Sequence, residues 1–213
     1  MTTAALPATR TRTRPAGVRL VQLHMVSRRI PNAVTALAAC ALVLRLGLEL
    51  DWIKGTGANA QQMLLLIETA AATVIAIAAR NPFGESERAA GRWLPYLRLG
   101  SALAMTAIAA TLLAAGSAAA QLPGGEAAAF RNMAGLTGIG LLSALLLGGG
   151  LAWVGPLAYA AVAEFTISAG WQTPWIWPGR PAHDVGAALC AGLAFALGAA
   201  LIAVLGPREL NRG

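Results

Sequence analysis

Four ionisable side chains, Arg45, Glu49, Glu68 and Glu164, lie inside stretches of the chain that are otherwise apolar. A charge at the centre of a membrane-spanning helix costs roughly 2.5–3.5 kcal/mol on insertion scales, so each is a candidate for function. Arg45 precedes Trp52, Glu68 follows Gln61 and Glu164 precedes Trp171 by the same interval. At a helical rise of about 1.5 Å per residue, that interval puts all three about 10 Å below one surface of the membrane. Arg45 and Glu49 are four apart and share a helix face. Two readings follow. These groups form a polar lining in the outer half of a translocation path, or they tie helices together, Arg45 pairing with Glu68 or with Glu49. Glu164 has no partner at its depth other than Arg45.

Other chemistries lack their residues. No GxxxxGK[ST] phosphate loop is present, and the single lysine, Lys54, is followed by glycine, so no nucleotide is hydrolysed here by that route. There are two histidines, and the His183–Asp184 pair has no second cluster to complete a metal site. No Ser–His–acid set is positioned together. Cys40 and Cys190 both fall in apolar stretches and read as small buried hydrophobes, with neither disulfide nor metal spacing. The chain is expected to be no enzyme, with no catalytic residue, no metal and no cofactor of its own.

The elements that must hold these groups are apolar helices. The 213 residues are 57% hydrophobic and only 12% charged, half the charged share usual in a soluble domain, and several apolar runs approach 20 residues. The net charge of +7 does not form a basic face, because the arginines cluster at the ends of apolar runs. This argues against nucleic acid as a partner.

The pattern predicts an all-α, polytopic membrane protein. Residues 1–16 read as a disordered basic tail. Residues 17–30 read as an amphipathic helix lying in the membrane interface, with Pro31 marking the break after it. A six-span domain covers 31–206, with spans at about 31–52, 61–79, 95–120, 132–154, 156–170 and 184–205. Residues 207–213 form a tail. Trp52, Trp93, Tyr96, Trp171, Trp175 and Trp177 fall near span ends, where aromatic side chains anchor at the headgroups. The glycine-rich fourth span, GLTGIGLLSALLLGGG, serves close helix packing within the subunit or a dimer seam, and the sequence leaves both open.

Basic residues orient the bundle. Twelve arginines precede the first span, follow the last or lie between the second and third, against three basic residues in the loops on the opposite side, Lys54, Arg131 and Arg180. The positive-inside rule then puts both termini in the cytoplasm of a bacterial cell, within its cytoplasmic membrane. The loop from Arg80 to Arg98 is the one well-charged segment in mid-chain. Between Gly84 and Leu94 it reads as a short surface helix, with Glu85 and Glu87 in its first turn and Arg88 and Arg92 later, as the helix dipole favours.

This layout resembles the permease subunits of type-2 ABC exporters. An amphipathic N-terminal helix, six spans, both termini inside, a charged segment GESERAAGRWL (84–94) after the second span, and an irregular aromatic segment WQTPWIWPGRPAHD after the fifth all match over residues 17 to 206. The style of the sequence also resembles small actinobacterial membrane proteins found with such transporters. The resemblance implies that 84–94 is a coupling helix, with Glu85, Glu87, Arg88 and Arg92 contacting a separate ABC ATPase subunit that holds ATP and Mg. It implies a second permease subunit, identical or sister, and an amphipathic or hydrophobic cargo leaving through the bilayer. The reading from a different class is a non-catalytic membrane scaffold or immunity protein that holds a partner complex.

Overall fold

The computed structural model describes residues 30–53, 58–79, 93–117, 122, 125–170 and 173–207. The amphipathic stretch 17–29, the coupling residues Glu85, Glu87, Arg88 and Arg92, and Trp171 lie outside the described residues.

Six α-helices and one 3-10 turn make up the described residues, with no strand among them: α1 (Ile30–Glu49), α2 (Ala58–Ala78), α3 (Leu94–Gly116), α4 (Gly125–Leu146), α5 (Val154–Ser168), the turn Trp177–Gly179, and α6 (Val185–Leu205). Alanine and leucine are the commonest residues of the five long helices, and α5 carries four alanines; both are strong helix formers. Pro31 and Pro95 stand in first turns, where no amide donor is missed. Five of the helices, all but α5, are long and apolar enough to cross a membrane. The protein is therefore a membrane protein whose described residues are helical, without strands. With 15 residues, α5 rises only about 22 Å, short of a bilayer core of about 30 Å.

Two helix ends show how sequence sets the geometry. After α1 the chain turns through Asp51, whose φ of 67° is left-handed and suits an aspartate better than most side chains. The amides of Trp52 and Ile53 then donate back to the Gly47 carbonyl at 2.9 and 3.2 Å. Ile53 folds over Gly47 so closely that a Cβ there would lie 2.7 Å from Ile53 Cδ1. At the start of α6, the Asp184 carboxylate accepts the Ala187 amide at 2.7 Å, a side-chain N-cap.

The hub of the bundle is α4, which touches α2, α3, α5 and α6. Three of its glycines face elements of the same chain, the close packing within the subunit that the sequence allowed. Gly135 receives the Trp177 indole, Gly138 meets the backbone of α6 at Ala194, Phe195 and Gly198, and Gly140 meets Ala76 and Pro156. Close backbone approach gives α4 and α6 their dispersion contact, which is what associates helices where lipid removes the hydrophobic driving force. By contrast α6 turns Val185, Leu189, Leu193, Leu197 and Val204 outward, a lipid-compatible stripe.

The helix bounds differ from the sequence expectation at α3 and α4. The third helix ends at Gly116 rather than near 120, closed by Ser117, whose hydroxyl donates to the Ala114 carbonyl at 2.9 Å. The fourth begins at Gly125, not near Asn132, because Glu-Ala-Ala-Ala after the glycines is itself helix-forming and places an acid in the first turn.

Candidate functional site

Glu68 sits mid-way along α2, about 15 Å from its start at Ala58. Its residue is 0% exposed, and neither carboxylate oxygen has a hydrogen-bond partner. Asn132 of α4 stands beside it but outside bonding geometry, and the Arg131 charge reaches it through space. Most intramembrane acids either pair or line a cavity. Glu68 stands in the wall of a cavity, with its oxygens closed off from water. A cavity of about 100 Å³ opens beside it, walled by Leu44 of α1, Leu64 of α2, Leu113 of α3 and Met133 of α4, with Phe130 and Glu126 also in its lining. Glu126 and Phe130 lie in the first turns of α4 and are exposed, which makes them the mouth.

Arg131 follows directly, and the structure corrects its expected place. It is a helical residue 7% exposed, not part of an outer loop. Its guanidinium forks onto the main chain of the segment before α6: Nη1 donates to the Pro181 carbonyl at 2.7 Å, Nη2 donates to the Arg180 carbonyl at 3.1 Å and also to the Trp177 carbonyl. Two longer contacts of 3.4 Å reach Asn132 Oδ1. Five fixed donors make arginine the side chain for such a fork. Gln61 of α2 donates to the Pro178 carbonyl, and Tyr159 of α5 donates to the Trp175 carbonyl at 2.9 Å. The segment thus caps the end of the bundle where α2 and α4 begin.

The aromatic residues divide. Trp52, Trp93 and Tyr96 are each about two-thirds exposed, and Trp175 is about half exposed. Trp177 differs from its expected anchoring role: it is buried, stacked on Tyr159 with centroids 4.5 Å apart. It is held inward because Gly135 leaves room for the ring.

Arg45, Glu49 and Glu164 do not join Glu68. Arg45 donates to Glu49 at 2.9 Å along α1, with both side chains 56% exposed. Glu164 lies about 6 Å from the end of α5 at Ser168, beside Gln62 of α2, with its Oε1 buried and unpartnered. Glu68 is thus farther from its helix end than the other two, because α2 begins before Gln61 while α1 and α5 end before Trp52 and residue 171. At the outer segment, Arg180 Nε donates to Asp184 at 2.9 Å. The Ala187 amide and then Arg180 hold the Asp184 carboxyl below the usual carboxylate range. Among the described residues, no three His, Cys, Asp or Glu side chains gather to hold a metal.

Sequence reasoning missed Arg131, Asn132, Gln61 and Tyr159. The available signal was an arginine followed by asparagine at the head of an apolar run, read as loop because of Pro123 and Gly124. No family model, curated protein or solved structure matches the chain.

Proposed function

We propose that the chain is the permease subunit of an ATP-driven exporter in a bacterial cytoplasmic membrane. Glu68 carries this reading: a buried carboxylate without a partner, beside a cavity inside an apolar bundle. Such a group weakens the fold relative to an apolar residue of the same size, so its presence favours solute handling over a purely structural role. The charged segment 84–94 between α2 and α3 supports the ATP-driven part, since it stands where an exporter permease carries its coupling helix. On this reading α5 crosses together with the residues flanking it to complete six spans, residues 17–30 lie in the interface, and both termini are cytoplasmic. Two permease subunits pair, and two ATPase subunits holding ATP and Mg push on Glu85, Glu87, Arg88 and Arg92. Closure of the ATPases rocks the helix bundles as rigid bodies and moves the cargo between the paired subunits.

The test is purification of the tagged chain from its native host in mild detergent, with nucleotide trapped. A stoichiometric soluble subunit carrying a phosphate loop is expected. The double variant Glu87→Arg, Arg88→Glu is expected to insert normally and lose that subunit. A homomer without any ATPase would overturn the exporter reading and favour a membrane scaffold or immunity protein.

A further inference from the structure

Glu68 and the cap compete for one guanidinium. Glu68 is 0% exposed and neither of its oxygens has a hydrogen-bond partner. An isolated carboxylate in such a place is costly, and the neutral acid avoids most of that cost. The same burial keeps water from the oxygens, so a proton there has no route out while the bundle stays closed.

The cation that acts on Glu68 is Arg131 of α4. Asn132 stands beside Glu68 and lies 3.4 Å from both Nε and Nη2 of that guanidinium. Each guanidinium nitrogen is already directed at Asn132 or at the carbonyls of Trp177, Arg180 and Pro181. The other charged and titratable groups are engaged or distant. On α1, Arg45 pairs outward with Glu49 and Cys40 packs on the core. On α3 the neighbours are Ala110, Leu113 and Ala114. Glu126 of α4 is exposed at the cavity mouth. On α5, Tyr159 donates to the Trp175 carbonyl and Glu164 stands beside Gln62. In the cap, Arg180 pairs with Asp184.

We propose that a proton on Glu68 latches the cap formed by residues 173–184. With Glu68 neutral, Arg131 stays on the cap carbonyls and the cap is closed. When the cap lifts, water enters, the Glu68 proton passes to it, and the freed Arg131 pairs with the ionised Glu68. Opening therefore releases one proton, and rising pH favours the open arrangement. The latch goes beyond the exporter reading and needs no ATPase.

The experiment uses the full chain in mild detergent. Chymotrypsin cuts after Trp175 only when Ile176, which is 1% exposed, leaves the bundle. The cutting rate tracks the open population where opening and closing are fast relative to cleavage. Glu68→Gln stays neutral at every pH. The ratio of the native rate to the Glu68→Gln rate is expected to rise through the neutral range into mild alkali, by up to about tenfold per pH unit for one linked proton. His183 of the cap is present in both chains and cancels in the ratio, as does the pH profile of the protease. Infrared spectra at neutral pH are expected to show the carbonyl stretch of a neutral carboxylic acid, kept in Glu164→Gln and lost in Glu68→Gln. If Glu68→Gln does not fold, the Glu164→Gln chain decides: its acid band is expected to fade over the pH range in which cutting after Trp175 rises. A ratio independent of pH, no acid band in Glu164→Gln at neutral pH, or a band that persists while cutting rises would overturn the latch.

Discussion

Arg131 of α4 donates to the Trp177 carbonyl, and Gly135, one turn further along the same helix, receives the Trp177 indole. One helix face thus grips one residue of the cap by its backbone and by its ring. The grip needs a forked cation and an absent side chain four residues apart. It fixes the segment that also meets α2 through Gln61 and α5 through Tyr159.

Replacing Arg131 with Met tests this. Main-chain carbonyls around the guanidinium lose their donor in a buried place, and an unsatisfied buried group costs about 1–3 kcal/mol. Arg131→Met is expected to lower stability by about 2–3 kcal/mol on that scale and to expose the 173–184 segment to protease. Arg131→Lys is expected to recover only part of the loss, since an ammonium is a point donor and cannot span three carbonyls. Thermal unfolding and limited proteolysis in detergent check both. Full stability in Arg131→Met would mean that the fork holds nothing.

The origin of this grip explains what was legible in the sequence and what was not. Apolar length alone located the five long helices, because a membrane span must satisfy its own backbone and be about 20 residues long. Local rules did not place Arg131. The glycines before it read as loop, while the outcome depends on the cap that folds back from some fifty residues later in the chain. The same holds for Glu68: its position within a span was visible, but its lack of a partner depends on Arg45 facing away with Glu49 and on Arg131 being engaged elsewhere. Periodicity assigns a residue to a helix, but it does not say which long-range carbonyl will claim a guanidinium.

Asp184 gives a pH prediction with a definite sign. Its folded-state pKa is depressed, first by the Ala187 amide and then by Arg180. Its contribution to stability is therefore complete above the unfolded value of about 3.9 and is lost as pH falls through the lower folded value. Asp184→Asn keeps an N-capping oxygen and removes the charge. The gap in thermal stability between the native chain and this variant is expected to be constant from neutral pH down to about 4 and to close below it. A gap that widens in acid would reverse the assigned sign.

Arg45 separates the two sequence readings of the intramembrane charges. Were it the buried counter-ion of Glu68, removing it would leave an uncompensated charge inside the bundle and cost about 3–5 kcal/mol. It instead pairs along its own helix, half exposed and about 6 Å from the end of α1 at Glu49, close enough for its long side chain to reach the headgroups. An exposed i,i+4 pair of this kind contributes roughly 0.3–0.5 kcal/mol. Arg45→Ala is therefore expected to shift thermal unfolding only slightly. A loss of several kcal/mol, measured against Glu49→Ala and the double variant in a thermodynamic cycle, would show that Arg45 reaches Glu68 after all.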